Sequence, residues 1–269
     1  MIETLTNAKG WRLVKRIVVA SLFFIFLSAC TLTTNNDING KSEELMLKDI
    51  AYDNRSNYSN TVYIQEEESF EPYIVISKNY NNGVLLLREY LLDDEICFSA
   101  EKSYGSCGGY YPISNVDNYL TSVFLQKLPP ELRQQVLETS IKVASLDSVS
   151  TGGRGVESVK RRVFLLSAKE LGIKSFVASK EGNRLSYFND SANWIAVNSS
   201  GDARNYWLRS AFLGDDIQAW VIACDGKYGG SRVSAPLALR PAFCLSSDTK
   251  IERKEGVVGN EAVYVLKMD

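Results

Sequence analysis

The chain has 269 residues, 45% hydrophobic and 23% charged, with a formal net charge of -2, the balance of an ordinary globular protein. It contains no histidine, which excludes a Ser-His-Asp or Cys-His hydrolase and any His-ligated zinc site. Residues 1–29 are net basic, so the remainder is more acidic than the whole, at -5; such a surface argues against nucleic acid as a partner.

The N-terminus reads as an export signal. Lys9, Arg12, Lys15 and Arg16 precede an apolar run from Ile17 to Leu27, broken only by Ser21. A short apolar run behind a basic segment is a secretory signal, too short for a comfortable membrane span. It ends Leu27-Ser28-Ala29-Cys30, which resembles the bacterial lipobox. That resemblance implies lipidation of Cys30 and an anchor in the cell membrane or outer membrane, with the domain extracytoplasmic. Residue 31 is Thr, not Asp, so the usual inner-membrane retention signal is missing. Export places the other four cysteines, Cys97, Cys107, Cys224 and Cys244, where disulfides are allowed. Four cysteines permit three pairings. Cys97 with Cys107 is the local option, and Cys224 with Cys244 would staple two later strands.

Residues 30–71 are rich in Thr, Asn, Asp and Ser and read as a lipidated cysteine followed by a polar tether, with Ser42 to Ile50 as a candidate short helix. Glu66-Glu67-Glu68 reads as a solvated charge run. The folded domain is expected over 72–269. It opens with a hairpin whose strands, near Tyr73–Ser77 and Val84–Leu92, flank the turn cluster Asn79 to Gly83. Ser114 is placed to cap a helix whose positions Val116, Tyr119, Leu120, Val123, Phe124 and Leu128 recur at helical spacing on one face. Pro129-Pro130 stops it and opens a second helix. Thr139, Ile141 and Val143 alternate as a strand, and residues 146–158 read as a flexible loop lacking the Gly-Lys-Ser/Thr ending of a phosphate loop.

Val163 to Ser167 predicts a strand, with Ser167 and Glu170 as a capping box and Gly172 as a C-cap. Residues 173–204 form a long polar connection, of the length that tends to carry function. The stretch 205–245 predicts three strands, around Tyr206–Ala211, Ala219–Cys224 and Leu239–Leu245. The middle one is apolar on both alternating faces and so belongs in the centre of a domain. Val263 to Leu266 is expected as the last strand, pairing near the first.

Val84-Leu85-Leu86-Leu87-Arg88, Ser114 to Leu120, Val163 to Ser167, Tyr206-Trp207-Leu208-Arg209-Ser210 and Leu239-Arg240-Pro241-Ala242-Phe243 occur in that order. The set resembles a widespread bacterial family, often surface-exposed, catalogued as a domain of unknown function. That family is similar in fold to C-type-lectin-like domains and the formylglycine-generating-enzyme group. The resemblance implies an α+β fold: a twisted antiparallel sheet, one or two flanking helices and long loops that carry recognition. The calcium-lectin motifs and the paired active-site cysteine motif of the formylglycine-generating enzymes are both absent, so no metal and no cofactor is expected.

Within this frame Arg209 and Arg240 are charged residues inside apolar strands and need a carboxylate or several carbonyls. They read as a structural charged core. Trp207 and Trp220 read as core, while Trp194 lies in a polar loop and is a ligand candidate. Asp215, Asp216, Asp225, Lys227, Tyr228 and Arg232 would border a lectin-like binding face. The expected function is a lipid-anchored binding module for a surface protein or a glycan. The alternatives are a structural envelope lipoprotein without a diffusible ligand, and an enzyme acting on an envelope component through carboxylates or a lone cysteine.

Overall fold

The computed structural model describes residues 44–100, 103–175 and 180–268. The expected signal segment and Cys30, the expected lipidation site, lie outside them. Two 3-10 turns, Leu47–Ile50 and Tyr52–Asn54, lead into β1 (Thr61–Glu66), β2 (Ser69–Tyr80) and β3 (Gly83–Arg88). After β4 (Ile96–Cys97) comes a helical run of α1 (Asn115–Tyr119), one π turn (Leu120–Phe124) and α2 (Leu125–Lys127), and then α3 (Pro130–Gln135). The hairpin strands β5 (Thr139–Ala144) and β6 (Val156–Arg161) enclose α4 (Leu146–Thr151) and precede β7 (Val163–Phe164). The C-terminal part holds β8 (Tyr206–Ala211), β9 (Gln218–Ile222), β10 (Tyr228–Arg232), β11 (Pro236–Leu237), β12 (Ala242–Leu245), β13 (Ile251–Val258) and β14 (Glu261–Leu266).

The result is a mixed α/β fold, mostly sheet with a few short helices. Its main layer is an open seven-stranded sheet in the order β13-β14-β1-β2-β3-β12-β7. A second sheet has the order β10-β9-β8, and β4–β11 and β5–β6 form separate two-stranded pairs. Among the described strands of the main sheet all pairings are antiparallel except β1 with β14, which run parallel and so depart from the all-antiparallel expectation.

Local signals explain many of these elements. Asn81 and Asn82 both have positive φ (47° and 71°) between the paired residues Tyr80 and Gly83, a two-residue turn of the kind that closes a twisted hairpin. Ser114 caps α1, its Oγ accepting from the Asp117 amide at 3.0 Å. Val116, Leu120 and Phe124 are fully buried along that helical face.

Three expectations are corrected. The tether does not extend to residue 71: Leu47, Ile50, Ala51 and Val62 have no solvent exposure, and β1 is an interior strand of the main sheet. A polar average concealed a sparse apolar pattern, which is sufficient when a long-range partner such as β14 completes it. Glu66 is no solvated charge, being buried where it accepts from Arg88 Nε at 2.9 Å and from the Tyr73 hydroxyl. Residues 146–158 hold α4, capped by Ser145 Oγ and ended by Gly152 at φ +75°, and then β6. The three strands expected in 205–245 are present but divide between the sheets: β8 and β9 pair in the small one, with β9 central, whereas β12 lies between β3 and β7 in the large one.

Candidate functional site

The long connection between β7 and β8 is fastened by a buried polar node. Ser167 and Glu170 cap each other reciprocally: the Ser167 amide donates to Glu170 Oε2 (2.9 Å) and the Glu170 amide to Ser167 Oγ (3.1 Å). Gly172 then turns the chain at φ +86°. The same Glu170 carboxylate receives Arg209 from β8 in a fork, Nη1 to Oε2 at 2.7 Å and Nη2 to Oε1 at 2.8 Å. The Tyr80 hydroxyl donates to Oε1 at 2.6 Å. Arg209 also donates to the carbonyls of Lys142 (3.0 Å), Leu165 (2.7 Å) and Glu181 (3.3 Å). All five guanidinium N–H groups are thereby used. Burial works against the charge of Arg209, and the adjacent Glu170 more than restores it, so its pKa ends raised. Burial and Glu170 together hold the Tyr80 pKa well above its ordinary value, so Tyr80 stays protonated as the donor.

A second buried acid lies alongside. Glu181 has no solvent exposure; its carboxylate accepts from the Ala144 amide at 2.6 Å and from the Ser210 hydroxyl. Its carbonyl accepts from Ser167 Oγ at 2.6 Å. The node therefore joins β2, β5, the 165–170 turn, residue 181 and β8. Its groups satisfy one another, which suits them to hold a loop in place rather than to turn over a substrate.

The surface that the node positions is aromatic. On one face of the small sheet, Phe212 and Trp220 have ring centroids 5.1 Å apart, Trp220 and Tyr228 6.0 Å, and Tyr228 and Trp194 5.5 Å. The row starts in the core and comes out into solvent: Trp220 is 3% exposed and Tyr228 46%. Gly230 makes room for it, since a Cβ there would lie 2.7 Å from the Phe212 ring. Trp194 is half-buried, its indole N–H donating to the Phe188 carbonyl at 3.3 Å, and Ile195 beside it is 41% exposed. Asp225 and Lys227 pair at 2.6 Å on the exposed turn before Tyr228, and Lys227 lowers the Asp225 pKa.

The remaining candidates separate from this face. Asp216 is buried and holds the 103–109 loop, Oδ2 accepting from the amides of Gly105 (2.7 Å) and Cys107 (3.0 Å). Asp215 braces its own turn through Ile217 and Gln218. Arg232 ends β10 in solvent. Arg240 donates to the carbonyls of Arg88 (3.1 Å) and Asn193 (3.3 Å). A second charged cluster, Arg88 with Glu66 (2.9 Å) and Glu71 (2.8 Å), has no local signal in the residues around it. Among the described residues no group of His, Cys, Asp or Glu is arranged to hold a metal ion.

Cys97, Cys107, Cys224 and Cys244, the candidates for disulfides, stand as free thiols in this structure. Cys244 is sealed inside β12 opposite Leu85, whereas Cys224 is exposed beyond the end of β9 in the other sheet. Cys97 is held in β4 against Pro236, with its thiol on the Ser234 carbonyl at 3.1 Å. The Cys107 backbone is tied to Asp216. Burial pushes the Cys244 thiol up to about 12, and a group that stays protonated is neither a nucleophile nor a ready ligand.

A family model described as a domain of unknown function (DUF6273) matches residues 81–247. The chain belongs to this family. No curated protein and no solved structure matches it. The matched span runs from the β2–β3 turn past β12, so it includes Glu170, Glu181, Arg209 and the whole aromatic row. Strands β1, β2, β13 and β14, which complete the large sheet, lie outside it.

Thiol accessibility gives a direct check on the cysteines. In the native protein a maleimide should label Cys224 first and leave Cys244 unmodified until denaturant is added. Peptide mapping that finds Cys224 joined to Cys244, or Cys97 to Cys107, in protein isolated from cells without reductant contradicts this assignment.

Proposed function

We propose that the chain is a lipid-anchored extracytoplasmic bacterial lipoprotein whose C-type-lectin-like domain binds a glycan or protein ligand without catalysis. The anchor half of the reading rests on the order of basic residues, apolar run and Leu27-Ser28-Ala29-Cys30. The lectin-like half is supported by a sheet-rich fold in which short helices and long loops surround the small sheet that carries Tyr206 to Ser210.

The observation that carries recognition is the row from Phe212 to Trp194, which ends in the exposed ring of Tyr228. Aromatic rings combine a large apolar area with few rotatable bonds, so they bind a flat partner at low entropic cost. The Asp225–Lys227 pair and Arg232 supply a polar border. A sugar ring, apolar on its C–H faces and polar at its rim, matches such a surface better than an extended peptide does.

Two experiments test the two halves. In cells grown with labelled palmitate, the wild-type chain should carry the label and Cys30→Ala should not. Label retained by Cys30→Ala contradicts the anchor. In a glycan and surface-protein panel, full-length detergent-solubilised protein should give a saturable hit, weakened at least tenfold by Trp194→Ala with Tyr228→Ala. Full binding by that folded double variant, or no hit from folded wild type, contradicts recognition at this face.

A further inference from the structure

We propose that a second site, away from the aromatic row, binds a saccharide bearing an anionic group, a phosphate or a carboxylate. It is a cavity of about 590 Å³ between the β2–β3 turn, the β5–β6 hairpin and residues 182–185. Its floor belongs to the buried node: Glu170 and Tyr80 both line it. The acid on that floor brings no free negative charge, because Arg209 engages both of its oxygens. Tyr80 has already committed its proton to Glu170.

The charges left facing the space are Lys142 and Arg184, both exposed. Neither forms an ion pair among the described residues. Arg184 makes one neutral contact, from Nη2 to the Phe188 carbonyl at 3.3 Å. In a chain of net charge -2, two unpaired cations on one cavity form a local positive field that favours an anion. Around them the wall is amide and hydroxyl, including Asn79, Asn82, Asn183 and Ser158. Such groups donate and accept together, as sugar hydroxyls require. Among the described residues of the lining the one aromatic is Tyr80, which is 9% exposed, so these residues offer no open ring on which a nucleobase would stack.

The backbone is also shaped around this space. Gly182 lines the cavity at φ +100°, and a Cβ there would sit 2.7 Å from Glu170 Oε1. The wall therefore approaches the floor carboxylate as closely as a chain without a side chain allows. On the hairpin, Lys142 lies opposite Ser158, which places a cation beside a hydroxyl across two strands. The next outward lysine, Lys160, is occupied by Glu138 at 3.2 Å.

The proposal does not depend on the aromatic face, and calorimetry separates the two. Full-length detergent-solubilised protein is titrated at low ionic strength with glucose 1-phosphate, glucuronate, glucose and inorganic phosphate. At least one of the two anionic sugars should bind saturably, and which one binds identifies the anionic group. Glucose and inorganic phosphate should each bind at least tenfold more weakly. Lys142→Gln with Arg184→Gln should lower the affinity at least tenfold without changing the melting temperature, because both side chains are exposed. Lys160→Gln and the Trp194/Tyr228 variant should bind as wild type does. The proposal is overturned by binding of neither anionic sugar, by equal binding of glucose or of inorganic phosphate, or by undiminished binding in the Lys142/Arg184 variant.

Discussion

Arg209 and Glu170 are the interaction on which the rest of this structure depends. Neither side chain meets solvent: 0% of the Arg209 side chain and 1% of the Glu170 side chain are exposed. Two charges so placed bear a large desolvation penalty, which only close pairing and complete hydrogen bonding offset. Here the fork is doubled, Tyr80 satisfies one carboxylate oxygen further and three carbonyls take the remaining guanidinium donors. Replacing either partner alone leaves an uncompensated buried charge, a loss of about 3–5 kcal/mol against a total stability of about 5–15 kcal/mol.

The node also determines where the surfaces lie. The described residues of 173–204 have little regular structure beyond the 3-10 turns Ser186–Asn189 and Ser191–Trp194. They need fixed points. One is Glu181, which ties the segment to Ala144 and Ser210. Another is the Leu185 amide, which donates to the Glu170 carbonyl at 2.9 Å. From these anchors the chain runs one way past the polar cavity at 182–185 and the other way to Trp194, where it meets Tyr228. One buried ion pair thus stands behind both an aromatic face and a cationic cavity.

Much of the local architecture was legible in the residues. Asn-Asn-Gly announced the hairpin turn, Ser114 the helix start, and Ser167 with Glu170 the reciprocal cap, because each is decided within four positions of chain. The need of Arg209 for a carboxylate was legible too, but not which carboxylate. The one it uses had already been read as a cap, and a single glutamate serves both roles because a carboxylate has two oxygens to offer. What escaped was long-range. Whether β12 lies beside β9 or β3, whether β1 runs parallel to β14, and whether Glu66 faces water or Arg88 are all settled by partners far along the chain. Asp216 was misread for the same reason. An aspartate in a turn has the sequence signature of a solvated loop, and only the folded 103–109 segment supplies the amides that bury it.

The most direct test of this account is backbone hydrogen exchange, compared between wild type and Glu170→Gln. The substitution keeps the shape of the side chain and removes its charge. The account predicts that amides in 142–144, 180–188 and 207–211 exchange at least tenfold faster, while the β13–β14 hairpin, at the far edge of the large sheet, keeps its protection. Unchanged exchange in those three segments, or a uniform loss of protection over the whole domain, would contradict it.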